Sequence, residues 1–233
     1  MHLLRRHCPS WFPQSLIPPL VLLTGFTLLV AVTIPLFYAH LSLRYYQLWN
    51  ILLAGLPLVF ACGVLWLVHK NCRLLALPLW LLWLFFYPNT SYMLTDLIHL
   101  RYYDFVAGGV FSSAPSVWFG FLHLCAGIAV GCCFGLISLV LLQRYIIRMY
   151  GKAHGWLLAG GASLLSGVGI WIGRCMRFNT WDIWHRPLHL LRSVLRQFDG
   201  NAIQLCLLFA IMSAGAYLLL RAFLPDDLKQ EGA

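Results

Sequence analysis

Residues 117–142 read VWFGFLHLCAGIAVGCCFGLISLVLL, twenty-six positions without a single Asp, Glu, Lys or Arg. A helix crosses a hydrocarbon core of ~30 Å with about 20 apolar residues, so this stretch is long enough to span a membrane. It carries no polar stripe of the kind a helix shows when one face is wet. Gly127, Gly131 and Gly135 recur within it at every fourth position. Small residues at that spacing let membrane helices approach closely. Helical, membrane-spanning and closely packed is therefore the first reading.

The rest of the chain agrees. Of 233 residues, 61% are hydrophobic and 10% are Asp, Glu, Lys or Arg. Soluble domains carry roughly 25% charged residues. A chain this size exposes too much surface to hide such an excess of apolar residues in one core. Secreted domains, cytosolic enzymes and disordered chains are excluded. Long unbroken apolar runs, rather than alternation, exclude a membrane barrel. The net charge of +9 sits in short loops between apolar runs, which points to topology and lipid head groups rather than nucleic acid.

Six spans are predicted: residues 16–39, 48–68, 74–87, 117–142, 156–173 and 202–223. They form one transmembrane domain over 16–223, between an N-terminal segment 1–15 and a tail 224–233. The first span reads as an uncleaved helix, too long for a signal peptide core. With the N-terminus inside, nine Lys and Arg face the cytoplasm and seven face out, five of the seven within residues 174–201. Leaving that loop aside, the count is nine to two, which predicts that both termini are cytoplasmic. Inside the same loop Pro187 suits the first position of a helix. Leu188, Leu191, Val194, Leu195 and Phe198 then keep helical spacing against His189, Arg192 and Arg196. An amphipathic helix over 187–198 is expected, either in the membrane plane or packed on the end of the bundle. Gly169 and Gly173, near Gly160, Gly161, Ser163 and Ser166, add a second small-residue face, so the fourth and fifth spans are expected at the centre.

Two segments carry polar chemistry. Span three covers only about 21 Å before Pro88, and the sequence continues Pro88-Asn89-Thr90-Ser91-Tyr92-Met93-Leu94-Thr95-Asp96-Leu97-Ile98-His99. Proline removes a donor and disfavours a helical Tyr87, so a helix broken at Pro88 is predicted. Asn89, Thr90 and Ser91 offer side-chain partners to the freed backbone. Asp96 and His99, three apart, share one face. The second segment, Gly173-Arg174-Cys175-Met176-Arg177-Phe178-Asn179-Thr180-Trp181-Asp182, follows span five, which leaves the membrane on the same side as span three. Arg174 and Arg177 can pair there with Asp96, Asp104 or Asp182, and Trp181 suits an interface belt. The plain alternatives are a kink with a capping Asp, and topological anchoring by Arg and Trp. Asp96, His99, Asp182, His185 and His189 do not have the spacing of a metal motif, so no metal is assigned. The eight cysteines include no CxxC pair and lie mostly in apolar spans, as small buried residues do. No phosphate loop, nucleophile elbow or HExxH occurs.

The pattern Pro88-Asn89-x-x-Tyr92-x-x-Thr95-Asp96-x-x-His99-Leu100, joined to Gly173-Arg174-x-x-Arg177-x-Asn179-Thr180-Trp181-Asp182, resembles a family of bacterial multi-pass membrane proteins, domain of unknown function 1361. The chain departs from it at Thr90-Ser91 and at Cys175. The resemblance implies a bacterial cytoplasmic membrane and brings no activity, cofactor or catalytic residue. The residues themselves point to an extracytoplasmic polar site for an anionic lipid or small polar ligand. Asn89, Thr95, Arg174, Arg177, Asn179 and Trp181 would bind, and Asp96, His99 and Asp182 are the candidates for catalysis if there is a reaction. Span interiors one, two, four, five and six hold no Asp, Glu, Lys or Arg, and His123 near the start of span four reads as a hydrogen-bonded bundle residue, which speaks against a proton-coupled pump. A transporter or channel subunit, for which a broken helix is the cue, and a non-catalytic assembly factor are the alternatives. Membrane lipids are the expected partners, nucleic acid is not, and protein partners are unknown.

Overall fold

A computed structural model of the chain describes residues 13, 16–17, 20–21, 23–25, 27–28, 43–107, 109–178 and 182–224, without the side chains of 43–46, 107, 183 and 184. Most of the first predicted span, the segments 1–12 and 225–233, and Asn179 and Trp181 of the expected site lie outside the described residues. Leu16 is buried in the core, with Leu20 and Leu23 packed against it.

The chain is an all-α membrane protein. Its helices are α1 (Leu43–His69), α2 (Arg73–Phe86), α3 (Pro88–Tyr92), α4 (Pro115–Tyr150), α5 (Lys152–Ile170), α6 (Asp182–His185), α7 (Pro187–Gln197) and α8 (Gly200–Phe223). A 3₁₀ helix, Met93–Tyr102, continues α3, and a π turn, Trp171–Cys175, ends α5. A two-residue antiparallel ribbon pairs Val106 with Phe111 and Ala107 with Val110 before α4. Among the described residues five helical stretches are long and apolar enough to cross a membrane: Gln47–His69, Arg73–Tyr102, Pro115–Tyr150, Lys152–Cys175 and Gly200–Phe223. Their outward faces are apolar too, as Leu52, Val59, Leu81, Leu164 and Ile211 show, which suits a hydrocarbon solvent.

α4 is the axis of the bundle, packed on α1 and α5, while α8 packs on α5 and α2 on α1. At 36 residues it reaches about 54 Å, well past the ~30 Å core. Its end turns at Gly151, whose φ of 91° suits a residue without a side chain. The glycine row of α4 works as its spacing predicts. A Cβ on Gly131 would sit 2.9 Å from Met93 Cγ, and one on Gly135 would collide with Thr90. On the other side of α3, a Cβ on Gly169 would lie 2.5 Å from Pro88 Cβ, and one on Gly173 would lie 3.0 Å from Tyr92 Cε2. The segment 88–93 is thus wedged between two glycine faces. Gly160 and Gly161 do not share this role, since they face open space, whereas Ser163 and Ser166 are buried.

The interruption at Pro88 is milder than the sequence predicts. Tyr87 keeps helical backbone (φ −56°, ψ −38°), and its N–H donates to the Trp83 carbonyl at 2.8 Å. Its side chain is fully buried beside Trp83, with ring centroids 4.9 Å apart. Packing of that ring and of Pro88 against Gly169 overrides the local preference of a pre-proline residue. Asn89 Nδ2 donates to the Phe86 carbonyl at 3.0 Å, occupying an acceptor near the interruption.

Candidate functional site

In a 3₁₀ helix residues three apart eclipse one another. Met93, Asp96, His99 and Tyr102 therefore form one column along Met93–Tyr102. The column runs outward: Met93 and Asp96 are buried, the His99 side chain is 30% exposed, and Tyr102 is exposed. A ten-residue 3₁₀ run is unusual, because its hydrogen bonds are poorer than those of an α-helix.

The π turn brings Arg174 against this column. Its Nη2 donates to Asp96 Oδ1 and pairs with it as an ion. Its Nε donates to Thr95 Oγ1 at 2.7 Å, and the guanidinium lies over the Tyr92 ring, 4.0 Å from the centroid. Thr95 Oγ1 in turn donates to the Tyr92 carbonyl at 2.6 Å. Asn50 of α1 donates from Nδ2 to Asp96 Oδ2 at 2.9 Å. Both carboxylate oxygens are thus engaged, as a charge removed from water requires. His99 Nε2 stands 3.7 Å from Asp96 Oδ1, and its ring stacks on Tyr102 with centroids 6.0 Å apart. The other ring nitrogen, Nδ1, is buried and has no hydrogen-bond partner.

Of the residues singled out from sequence, Thr95, Asp96, His99 and Arg174 come together. Asn89 turns back on its own helix and does not join them. Arg177 is exposed on left-handed backbone (φ 59°), three residues past Arg174, and pairs with no carboxylate among the described residues. Asp182 opens the single turn α6 and is half-buried. Asn179 and Trp181 lie outside the described residues. His189 packs on the Phe178 ring. Among the described residues no three of His, Cys, Asp and Glu gather closely enough to hold a metal ion.

Two contributors were not singled out for the site from sequence: Asn50, a lone amide in an apolar run, and the ring of Tyr92. A second polar cluster, at the α4–α5 junction, is also absent from that reading. There Gln143 is buried, accepts from Tyr217 Oη and Arg221 Nη1, and donates to the Gly155 carbonyl at 3.2 Å. The Arg221 guanidinium lies 4.8 Å from the Trp156 ring centroid.

An apolar helical bundle with a buried ion pair at one end defines an all-α integral membrane protein. Residues 49–214 match the model of a family described as a protein of unknown function, DUF1361, and the chain belongs to that family. The match includes Asn50, Tyr92, Thr95, Asp96, His99 and Arg174. Neither a search of curated proteins nor one of solved structures finds a match.

Proposed function

We propose that this membrane protein binds an anionic, hydrogen-bonding group, such as a lipid phosphate, at the end of the bundle built by the 3₁₀ helix and the π turn. The observation that carries the reading is His99 Nδ1. Buried polar groups are nearly always satisfied, and one left unpaired costs about 1–3 kcal/mol. Around it Asp96, Arg174, Thr95 and Asn50 are all paired. Nδ1 has almost no accessible surface, so a ligand atom would complete the set by displacing what covers it beside the exposed part of the ring. The sign of the ligand follows from local charge. Asp96 neutralises Arg174, Asp104 and Asp182 offset Arg101 and Arg177 in number, and Arg186, Arg192 and Arg196 leave this end with a net positive charge. Three irregular features converge here: the long 3₁₀ run, the π turn and the left-handed Arg177. π turns and strained backbone cluster at functional sites. By the Lys and Arg count of the loops, this end faces away from the cytoplasm.

The test is a thermal-unfolding titration of the detergent-solubilised chain with short-chain phosphatidylglycerol and with phosphatidylcholine. A bound ligand at a hundred times its Kd stabilises by about 2.7 kcal/mol. The anionic lipid is expected to raise Tm saturably, and the paired variant His99→Ala/Arg177→Ala to lose the rise while remaining folded. An equal response to both lipids, or an unchanged response in the variant, would overturn the reading.

A further inference from the structure

We propose that α7 lies in the plane of the membrane boundary and anchors the protein to a leaflet rich in anionic lipid. Connectivity places it there. α8 crosses the membrane and begins at Gly200, just after α7 ends at Gln197, and the membrane-crossing stretch before it ends at Cys175. α7 has no room to leave the boundary region at its C-terminal end.

Its surface divides into three sectors at about 100° per residue. Leu190 and Val194 face the bundle: Leu190 is buried, and Val194 packs against the cluster of Trp171, Ala202 and Cys206. Leu188, Leu191 and Leu195 occupy the next sector and are 66%, 55% and 71% exposed. Ile203 and Leu207 on the first turns of α8 are exposed apolar residues as well. Three exposed leucines on one short helix are poorly placed in water and well placed in acyl chains. The third sector holds Arg192 and Arg196, exposed and turned away from the bundle, with His189 exposed at its edge against Phe178. Arg186 precedes the helix, and no acid lies between Asp182 and Asp199. Asp199 is occupied at the start of α8, where its Oδ1 accepts from Ala202 N at 2.8 Å. The positive sector therefore has no acidic counterpart on its own helix, and anionic head groups supply one. This arrangement also explains why residues 174–201 hold so many arginines on the side where the loop count expects few.

α7 is fastened to the segment that carries Arg174. Phe198 meets the Trp171 ring with centroids 5.4 Å apart, and His189 meets Phe178 at 5.7 Å. The anchoring itself does not depend on the ligand proposed for His99.

The test places a photoreactive benzoylphenylalanine at Leu195 or, separately, at Leu190 of the full chain. Nanodiscs contain phosphatidylcholine alone or with phosphatidylglycerol, and adducts are read by mass spectrometry. Lipid adducts are expected at position 195 and not at 190. Phosphatidylglycerol adducts should exceed its mole fraction, and Arg192→Gln/Arg196→Gln should cut that excess by roughly fivefold or more. Adducts between two copies at 195, or no adduct there, would overturn the proposal, as would an excess unchanged by losing the arginines. Both arginines are exposed, and a matching size-exclusion profile checks that the variant is folded.

Discussion

The Asp96–Arg174 pair is the charged contact that ties the 3₁₀ helix to the end of α5. Removing one partner of a buried pair leaves the other charge uncompensated, at a cost of about 3–5 kcal/mol. Asp96→Ala is therefore expected to lower stability by that order, and less where water reaches the 22% exposed Arg174 side chain. Detergent unfolding monitored by tryptophan fluorescence measures it. The double variant Asp96→Ala/Arg174→Ala should lose less than the two singles added together, because the second change removes the stranded charge. Simple additivity would mean that the pair is not coupled. Asp96, His99 and Arg174 were legible because few charged types occur near the apolar spans and the spacing of three sets a shared face. Asn50 was not. An amide in an apolar helix carries no charge to flag it, and only the fold reveals that it completes the shell of Asp96.

At the level of elements, the two glycine faces hold the 88–93 segment in place. Gly135→Leu and Gly169→Leu must displace Thr90 and Pro88, so each is expected to destabilise by about 1–3 kcal/mol or to reduce folded yield sharply. Gly160→Leu, which meets open space, should express and elute from size exclusion like the wild type. Equal losses at all three positions would contradict close packing at Gly135 and Gly169 as the cause, because leucine is the better helix former at each of them. The spacing of four made these faces readable, though it could not separate Gly160 and Gly161, which share the composition and not the orientation. The interruption was readable from Pro88 as well, but the helical backbone of Tyr87 was not. That conformation depends on a ring buried beside Trp83, and a pre-proline preference describes only the local chain. The junction of Gln143, Tyr217 and Arg221 escaped for a similar reason: residues 74 and 78 positions apart meet only after folding.

For the whole molecule, the two polar clusters mark opposite ends of the bundle. The Asp96–Arg174 pair joins the ends of the Arg73–Tyr102 and Lys152–Cys175 stretches, and Gln143 with Gly155 lies where α4 passes into α5. The loop count predicts that the second end is cytoplasmic. Reporter fusions after Lys70 and after Lys152 should read cytoplasmic, and fusions near Asp104 and Arg192 should read outside. A cytoplasmic reading at Arg192 would reverse the assignment. Membrane class and the approximate spans were legible because hydropathy over 20 residues is set by the solvent and needs no tertiary detail. Pairing between spans was legible only where charge flagged it, as for Asp96 and Arg174; neutral contacts such as Asn50 with Asp96 and Trp83 with Ser138, 46 and 55 positions apart, emerge only on folding.

The proposal that His99 and the surrounding arginines hold an anionic group is tested most directly by native mass spectrometry of the full chain, purified in a mild detergent. Wild type and His99→Ala are compared side by side. The expected result is a stoichiometric anionic species retained by the wild type and lost from a folded His99→Ala protein. Wild-type protein free of any anionic species, or the same species held equally by both, would contradict a ligand site at this end of the bundle.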